Sequence, residues 1–288
     1  MWIIFLLLVF VSLIVIYTAF DNRRIRIRYQ NVRVGNSRCI RILQVTDLHS
    51  KVLRSNDYKK INKLNYDVIA FTGDTFVDED KDYTALTEFM KNVNNVKNVV
   101  YVDGNNGTKA YNRRDNTLTQ FGKYLESLGI IVIRDMVEIK DVIFTNYNSI
   151  TSKILDNDEH GKYYIYDELN SEMKENRKVS VGVTHYPLTE EAVDRLNNNQ
   201  DIYTPSLIIA GHYHGGQIRF PFIGAILVPR YLRGGVTFFP NQKLVSGLFE
   251  KGKVKQYISR GVGATTHVKF LSFRFLNTPE IDLISLYY

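Results

Sequence analysis

Side chains of types that can bind metal ions follow five short, strand-like runs of apolar residues in the sequence. They are Asp47 and His49 in TDLHS, Asp74 in TGDT, Asn105 in DGNN, His185 in VTHYP, and His212 and His214 in GHYHGG. In open α/β sheets, binding sites form outside the carboxyl ends of the strands, so we expect these side chains to converge on one crevice. Any one of them alone fits a structural role, because a single histidine often hydrogen-bonds within a fold and Gly-Asp is an ordinary turn. Together they include four of the six histidines in the chain, and we interpret them as a metal site.

The ligand types indicate which chemistry this site could perform. Imidazole, carboxylate and amide ligands without a thiolate suit manganese, iron or zinc. Two such divalent ions about 3.5–4 Å apart can polarise a phosphoryl group and lower the pKa of a shared water molecule. The attacking group would be a metal-bridging hydroxide, so no serine or cysteine nucleophile is required. Ligands of these types therefore suit a site for divalent metal ions.

The order of these motifs resembles a known family, the calcineurin-like binuclear metallophosphoesterases. The shared motifs are D-x-H, G-D, G-N, H and G-H-x-H, which run from Ile40 to His214. Three later stretches, GGQIRFPF, YISRGVG and PEIDLISL, resemble the membrane-associated bacterial branch of that family. The resemblance implies a hydrolase of phosphate esters or pyrophosphates with two divalent metal ions, one of them held by Asp47, His49, Asp74 and His214. It implies that the second ion is held by Asp74, Asn105, His185 and His212, with Asp74 bridging the two.

One position departs from the pattern of that family. Where the family motif continues from asparagine to histidine, this sequence has Asn106 after Asn105. In the family, the histidine is taken to donate a proton or a hydrogen bond to the leaving-group oxygen. An asparagine can donate a hydrogen bond but cannot release a proton. By this resemblance we predict Asn106 to contact the substrate, and we count it with Asp74, Asn105 and His185 among the catalytic residues.

The replacement at Asn106 has three possible consequences. The enzyme could act on substrates whose leaving group needs little protonation, such as a nucleoside phosphate expelled from a pyrophosphate. Another residue could supply the proton, with His267 in GATTHVKF favoured over His160. Alternatively, hydrolysis could be lost while the metal ions are kept for binding or stability. We favour the first two together, because a site without metal-hydroxide chemistry has little need of seven intact ligand positions.

Alternating strand-like and helix-like stretches must position these residues. Six apolar runs are near-continuous, which is typical of strands buried on both faces; they are IRILQVTD, DVIAFTGD, VVYVDGN, VIFTNYN, VSVGVTH and SLIIAGH. Helices are predicted from Asp82 and from Leu118, the second with Gly129 at its C-terminal cap. The tail, from LVSGLFE to EIDLISLYY, predicts further strands that are antiparallel, and the polar stretch 149–178 predicts helix and surface loop. We predict an α/β fold, a metallophosphoesterase-type β-sandwich flanked by helices and preceded by one N-terminal transmembrane helix.

The N-terminal run from Trp2 to Phe20 is uncharged and apolar, and about 20 such residues are needed to cross a bilayer as a helix. A cleaved signal sequence is the alternative, but no Lys or Arg precedes the run and no small-x-small cleavage site follows it. We predict a transmembrane anchor at 1–21, an Arg-rich juxtamembrane strand or linker at 22–38, and one metallophosphoesterase domain at 39–288. A domain of that size can bury a full core.

The positive charge of the chain is concentrated next to this anchor. The stretch DNRRIRIRYQNVRVGNSRCIR holds seven arginines and one aspartate, a net charge of +6 out of +7 for the whole chain. Basic residues beside an anchor tend to remain cytoplasmic and attract anionic lipid headgroups. We therefore predict a single-pass protein of the cell membrane with a cytoplasmic catalytic domain, although the same alternation fits an ordinary half-solvated strand. The remainder lacks the basic excess of a nucleic-acid binder, and the single Cys39 excludes an internal disulfide.

Two further stretches bear on the substrate. The run from Arg219 to Gly235, RFPFIGAILVPRYLRGG, fits either a surface at the lipid headgroups or a buried strand pair. Lys109, Arg113 and Arg114 could bind a second phosphate of the substrate, although solvated loop charges are commoner. With the anchor, these features favour a phosphorylated substrate in or near a membrane lipid; some relatives in the branch that this chain resembles cleave UDP-diacylglucosamine between its phosphates. The alternatives are a phosphodiesterase of soluble nucleotides, a phosphomonoesterase, and a catalytically weak metal-binding membrane scaffold.

Overall fold

Two six-stranded β-sheets form the body of the molecule in this computed structural model. The structure describes residues 1–77, 83–94, 96–148, 150–151, 178–200, 202–229, 235–264 and 273–288. Within these ranges, the two sheets pack face to face and helices cover both outer faces. The predicted β-sandwich with flanking helices is therefore confirmed.

The first sheet has the strand order β1-β18-β2-β3-β4-β7. Its strands are β1 (Arg26–Arg33), β2 (Cys39–Val45), β3 (Val68–Thr72), β4 (Val99–Val102), β7 (Ile131–Val132) and β18 (Glu280–Tyr287). Strands β2, β3, β4 and β7 are parallel to one another. Strand β18 lies between β1 and β2, parallel to the first and antiparallel to the second. Residues 26–33 of the arginine-rich segment after the N-terminal apolar helix are thus an edge strand of this sheet.

The second sheet has the strand order β16-β17-β11-β10-β9-β8. Its strands are β8 (Met136–Ile139), β9 (Val142–Asn146), β10 (Ser180–Val183), β11 (Leu207–Ala210), β16 (Gly247–Lys251) and β17 (Val254–Ile258). The four inner strands are parallel, and an antiparallel hairpin closes each edge. All six apolar runs singled out in the sequence are strands, as predicted.

Three short hairpins extend from the sheets. They are β5–β6 (Tyr111–Asn112 and Thr117–Leu118), β12–β13 (Arg219–Phe220 and Gly224–Ala225) and β14–β15 (Leu227–Pro229 and Val236–Phe238). Two single 3₁₀ turns, His214–Gly216 and Gln242–Leu244, adjoin the last two hairpins.

In the described part of the chain, four short helices with defined bounds follow the long N-terminal helix α1 (Trp2–Asp21). They are α2 (Ser55–Ile61), α3 (Thr84–Asn92), α4 (Gln120–Ser127) and α5 (Glu190–Asn198). The Thr119 hydroxyl caps α4 by accepting a hydrogen bond from the backbone N–H of Gly122, and Gly129 ends that helix with a φ of +76°. Only glycine adopts this left-handed conformation without strain, so the predicted C-terminal cap is confirmed.

Three apolar layers hold these elements together. Between the sheets, Ile42, Val68 and Val102 of the first pack with Phe144 and Val181 of the second. The outer face of the first sheet packs against α2, α3 and α4, and the outer face of the second packs against α5. Because each inner strand is buried on both faces, its sequence shows a continuous apolar run instead of an alternation.

Helix α1 is long and apolar enough to cross a membrane by length and composition: it has 20 residues, a mean hydropathy of 3.0 and little contact with the rest of the protein. Its end is nevertheless fastened to the domain. The Asn22 side chain donates to the Arg274 carbonyl at 2.6 Å and accepts from the Arg274 N–H at 3.1 Å. The Thr278 hydroxyl donates to the Asp21 carboxylate at 2.7 Å, and Lys51 donates to the Asn22 carbonyl at 2.9 Å.

The tail of the chain differs in part from its prediction. Antiparallel pairing is right for β16–β17 and for β18–β2, but the pairs β17–β11 and β18–β1 are parallel. The reason is topological: β18 lies between β1 and β2, and β17 lies beside β11. Local sequence does not reveal such pairing with strands from earlier in the chain. The polar stretch 149–178 and residues His160, His267, Arg230 and Arg233 fall outside the described part of the chain, apart from 150–151 and 178.

The central position of β18 leads to a stability prediction. Ile284 is fully buried between the sheets, whereas its neighbour Ser285 is partly exposed. We expect Ile284→Ala to lower the free energy of unfolding by about 2–5 kcal/mol, because the lost side chain leaves a cavity. Urea unfolding of the full chain in detergent would measure this, with Ser285→Ala as the control that changes little. Equal stability of the two variants would contradict the assigned register of β18.

Candidate metal centre

The predicted ligands lie together at one end of the sandwich. Asp47 and His49 follow β2, Asp74 follows β3, and Asn105 follows β4 of the first sheet; His185 follows β10 and His212 and His214 follow β11 of the second. The two aspartates and four histidines are buried, and Asn105 is half-buried. The carboxyl ends of parallel strands from both sheets therefore form a single cleft.

The backbone is strained at this cleft. Asp47, His49, Asp74, His212 and His214 all have positive φ angles, between 45° and 68°. Such angles are uncommon in residues other than glycine and persist only where the surrounding structure imposes them. Five of the seven predicted ligands share this unfavourable conformation, which turns each side chain off the end of its strand. Clustering of this kind is typical of functional sites.

The first group of ligand atoms surrounds Asp47. Its Oδ2 atom accepts hydrogen bonds from the Thr46 hydroxyl at 2.9 Å and from the backbone N–H of His212 at 3.0 Å. Its other oxygen, Oδ1, has no hydrogen-bond partner and lies 3.8 Å from His49 Nε2 and 3.6 Å from His214 Nε2. One oxygen is thus used to fix the carboxylate, and the other faces two imidazoles.

The second group surrounds Asp74 and His185. Asp74 Oδ2 lies 3.6 Å from His49 Nε2 and 3.4 Å from His185 Nε2, so it faces both groups. His185 Nε2 also lies 2.8 Å from Asn105 Oδ1 and 3.2 Å from His212 Nδ1. The residues form two sets of three, Asp47–His49–His214 and Asp47–Asp74–His185. Within each set, the potential ligand atoms lie within 4.8 Å of one another.

These distances fit divalent cations. Nitrogen and oxygen ligands bind zinc at about 2.0–2.2 Å, so two atoms on one ion lie no more than about 4.4 Å apart. The separations of 3.4–3.8 Å between histidine and carboxylate atoms satisfy this limit. They are too long for good hydrogen bonds. Five buried atoms of these residues have no hydrogen-bond partner: Asp47 Oδ1, His49 Nδ1, His49 Nε2, His212 Nε2 and His214 Nδ1. Buried unpaired groups are costly, and cations would satisfy two of those five directly, Asp47 Oδ1 and His49 Nε2, which face other ligand atoms.

The ionisation of the cleft also favours cations. Burial opposes the charged form of Asp74, but His185 and His49 beside it hold its pKa well below the usual range. Asp47 behaves in the same way, with His214, His49 and His185 overcoming the effect of burial. Burial lowers the pKa of His212 and of His214 to about 3, so both imidazoles are neutral and able to bind a metal ion. Burial likewise opposes the charge on His185, but Asp74 raises its pKa to about 9.

Neighbouring polar groups hold the ligands in place. The carbonyl of Thr72 lies 2.9 Å from His185 Nδ1, and Asn148 Oδ1 accepts from the backbone N–H of His185 at 2.8 Å. Asn277 donates to the carbonyl of His214 at 2.7 Å. Sequence reasoning missed these supporting residues. Asn148 carried a usable signal, since it follows the β9 run as the ligands follow theirs, but Asn277 lies 63 positions from His214 and carried none.

Two glycines make room for the aspartates. A Cβ atom on Gly104 would lie 2.0 Å from Asp74 Oδ1, and one on Gly211 would lie 2.6 Å from Asp47 Oδ2. Both contacts are far below any normal separation, so a side chain at either position would displace a carboxylate. The glycines of the G-N and G-H motifs are therefore required by close approach to the two central ligands.

Asn106 contacts Asp74 through both its backbone and its side chain. Its N–H donates to Asp74 Oδ1 at 2.8 Å, and its carboxamide nitrogen donates to Asp74 Oδ2 at 2.5 Å. Asn106 therefore positions the carboxylate that faces both groups of ligands. Its predicted contact with a substrate stays a prediction.

The three basic residues that were predicted to bind a phosphate differ in their surroundings. Lys109 donates to the carbonyls of Gly104 at 2.7 Å and Asn105 at 3.2 Å, so it supports the loop that carries Asn105. Arg113 and Arg114 are exposed on the turn of the β5–β6 hairpin. Lys109 thus contacts the loop that carries Asn105, whereas the two arginines lie at the surface.

Comparisons with known proteins cover this same region. The model of the calcineurin-like phosphoesterase family matches residues 40–216, which include every predicted ligand. An uncharacterised metallophosphoesterase of Bacillus subtilis, YkuE, is 27% identical over 258 residues, covering 85% of this chain and 78% of the relative. Another of Campylobacter jejuni, Cj0846, is 26% identical over 270 residues, covering 89% of this chain and 63% of the relative. Among solved structures, a dimetal phosphatase of Danio rerio has 11% identity and a TM-score of 0.43, covering 77% of this chain and 88% of that one.

The position of Asp74 between the two groups leads to a prediction for metal content. We expect Asp74→Asn to reduce the bound metal from about two ions per chain to one or fewer, because the amide replaces the shared anionic ligand. Elemental analysis of the purified full chain would measure this. Asp103→Asn is the matched control, since Asp103 is buried beside the cleft but accepts a hydrogen bond from Ala110 and belongs to neither ligand group. Equal metal content in the two variants would contradict the role of Asp74.

The protonation of His185 leads to a prediction for pH dependence. Its pKa is raised from 6.5 to about 9 by Asp74, so near neutrality a metal ion must displace a proton from it. We expect metal affinity to rise with pH up to about 9, by up to about tenfold per pH unit for that proton. The metal-free protein should show the opposite trend: the contribution of protonated His185 to stability is complete below pH 6.5 and is lost as the pH rises through about 9.

Calorimetric titration with manganese in buffers of different ionisation enthalpy would count the released protons. Thermal unfolding of the chelator-treated protein would follow the second trend. A metal affinity that does not change between pH 6.5 and about 9 would show that His185 is not the protonated group.

Proposed function

The chain belongs to the calcineurin-like phosphoesterase family, and from this membership we propose that it hydrolyses phosphate esters or pyrophosphates with two bound divalent metal ions. The observation that carries the proposal is the placement of Asp74 Oδ2 between His49 Nε2 and His185 Nε2, at 3.6 and 3.4 Å. A ligand that bridges two metal ions must face the other ligands of both ions, and this carboxylate oxygen faces one histidine of each group. The donor set suits manganese, iron or zinc.

The proposed ligands divide between the two ions. One ion would be held by Asp47, His49, Asp74 and His214, and the other by Asp74, Asn105, His185 and His212. Bound there, the ions would polarise the phosphoryl group of a substrate and lower the pKa of water at the site.

The protein's own groups prepare the cleft for this chemistry. Asn106 and the backbone fix Asp74, and Thr46 fixes Asp47, so neither carboxylate must be ordered when a metal ion binds. Buried Arg274 adds to the effect of burial in keeping His214 neutral. The low solvent exposure of the ligands strengthens every electrostatic interaction in the cleft.

The carboxamide of Asn106 restricts the leaving group in this proposal. It cannot release a proton, and general acid catalysis typically contributes 10²–10⁴-fold where the leaving group is poor. The substrates that suit the site are therefore those with a stable leaving group, such as a nucleoside phosphate expelled from a pyrophosphate. Esters with alkyl leaving groups suit it less well.

The position of α1 supports a substrate in or near a membrane lipid. Lys51, two residues after His49, donates to the carbonyl of Asn22 at the end of α1 and to that of Val262. If α1 is the anchor of a single-pass membrane protein, the cleft lies close to the bilayer surface. The arginines after α1 favour a cytoplasmic position for the domain by the positive-inside rule.

A second candidate function rests on the hydrogen bond from Asn106 to Asp74. Because this carboxamide is occupied with the carboxylate, it is not directed at a leaving group, which favours a metal-binding membrane scaffold with weak catalysis. A phosphodiesterase of soluble nucleotides differs from the main proposal only in the substrate, and the same assay separates all three.

The test is a panel of substrates that differ in leaving group. The full chain in detergent, loaded separately with manganese, zinc or iron, is assayed on bis-aryl diesters, alkyl diesters, soluble nucleotides and nucleotide-linked lipid pyrophosphates. We expect hydrolysis of the pyrophosphates and aryl diesters, little on alkyl diesters, and loss in Asp74→Asn but not in Asp103→Asn. A metal-loaded wild type that hydrolyses nothing on the panel would favour the scaffold.

Asn106→His provides the sharper arm of this assay. An imidazolium can release a proton, so turnover of alkyl diesters should rise towards the 10²–10⁴-fold typical of general acid catalysis, with a smaller change on aryl diesters. Asn106→Gln is the matched control, because it keeps an amide donor without a transferable proton. If both variants bind metal and neither changes the alkyl rate, Asn106 does not limit the leaving group.

A further inference from the structure

Two adjacent hairpins expose a group of large apolar side chains, here called the apolar tip. It consists of Phe220, Phe222 and Ile223 on the β12–β13 hairpin and Phe238 and Phe239 at the end of β15. Phe222 is completely exposed, and Phe239 is 70% exposed. Contiguous exposed apolar groups are rare on soluble proteins and mark surfaces that contact a partner or a membrane. Of the two alternatives for this stretch of sequence, the described residues therefore fit an exposed surface.

Hydrogen bonds join the two hairpins into one surface. The Gln242 side chain accepts from the backbone N–H of Ala225 at 2.7 Å and donates to the Ala225 carbonyl at 2.9 Å. The same amide donates to the carbonyl of Pro240, next to Phe239. The N–H of Phe239 donates to the carbonyl of Ile226 at 2.7 Å. The apolar tip is therefore a built surface and not two independent loops.

The backbone is strained where the tip is most exposed. Phe222 has a φ of +67° and Phe239 a φ of +49°. A left-handed conformation is unfavourable for bulky side chains and calls for an explanation other than local preference. Both phenylalanines nevertheless present most of their side chains to solvent in this conformation.

A short segment connects the tip to the end of α1. The Phe275 ring lies 5.4 Å from that of Phe220, and Phe275 exchanges backbone hydrogen bonds with Arg219 and Gln217. The preceding residue, Arg274, forms the two hydrogen bonds to Asn22 that fasten α1 to the domain. Arg274, which contacts the end of α1, and Phe275, which contacts the tip, are thus adjacent in the chain.

The segment that forms the tip carries charges of a single sign in its sequence. The sequence from Gln217 to Phe249 contains Arg219, Arg230, Arg233 and Lys243 and no Asp or Glu. An exposed apolar surface on a segment whose charged residues are all basic complements a bilayer that carries anionic headgroups.

We propose that the apolar tip inserts into the headgroup–acyl boundary of the bilayer that α1 crosses, with anionic phospholipids as its partner. The inference rests on the membrane anchoring proposed above. A single helix leaves the domain free to turn about the helix axis, whereas a second contact fixes the face that it presents to the lipid. Since His214 immediately precedes the hairpins that form the tip, this contact sets the orientation of the metal cleft towards the membrane.

Fluorescence quenching by brominated lipids tests the insertion, because Trp2 is the only tryptophan in the chain. The full chain is reconstituted in phosphatidylglycerol-containing vesicles, with bromine near the headgroup end of the acyl chains or absent. Wild-type Trp2 reports on the anchor, and Trp2→Phe/Phe222→Trp reports on the tip. Trp2→Phe/Ile131→Trp is the matched control, since Ile131 is also exposed but lies on β7, at the edge of the first sheet opposite β1.

We expect bromine to lower the emission of the Phe222→Trp variant by about twofold or more, as fits a side chain about 5–10 Å into the boundary, and to leave the Ile131→Trp control unchanged. Quenching should weaken when phosphatidylglycerol is replaced by a lipid without net charge. Quenching of wild-type Trp2 without quenching of Phe222→Trp would overturn the inference and leave the anchor intact.

Two other outcomes would also overturn it. If neither tryptophan is quenched, both the anchor and the insertion fail. If the Phe222→Trp emission is unquenched but shifts to the blue as protein concentration rises, the tip contacts another protein molecule. None of these measurements depends on hydrolysis, so failure of the proposed enzymatic activity is observed separately.

Discussion

Two buried carboxylates that face four buried imidazoles form the interaction on which the rest of this structure depends. Asp47 and Asp74 repel each other in a cleft with little access to solvent, and His185, His214 and His49 offset the repulsion. A buried cluster of this kind is costly unless every charge is paired. Its histidine nitrogens and carboxylate oxygens are nevertheless 3.4–3.8 Å apart, distances that suit cations better than hydrogen bonds. The apolar layers between and outside the sheets supply the stability that this arrangement requires.

Much of this arrangement could be read from the sequence, because the signals are local. Near-continuous apolar runs indicate doubly buried strands, and a polar residue directly after such a run must lie at a strand end. The strand ends of the first sheet and those of the second meet at the same edge of the sandwich. The ligands that follow strands of the first sheet therefore meet those that follow strands of the second. Long-range contacts gave no such signal. The insertion of β18 between β1 and β2, the bond from Asn277 to His214 and the pair Asn22–Arg274 join segments far apart in the chain.

The role of Asn106 shows how a resemblance and a structure complement each other. By its position in the motif it takes the place of a proton donor, whereas by its contacts it fixes Asp74 with two hydrogen bonds. In the proposed function, a side chain that supports a metal ligand and lacks a transferable proton suits a leaving group that departs as a stable anion. Segment 274–278 supports the cleft from the other side, because Arg274 and Thr278 bind the end of α1 while Asn277 binds the His214 loop.

The strand order of the first sheet has a consequence for biosynthesis. Strand β1 directly follows α1, yet its neighbour in the sheet is β18, some 250 residues later in the chain. During translation, the edge of β1 that pairs with β18 therefore stays unpaired until residues 280–287 have left the ribosome. Pairing across such a sequence separation is slow, since a long loop must close first. The arginines that alternate along β1 keep this waiting edge soluble and discourage its association with other nascent chains.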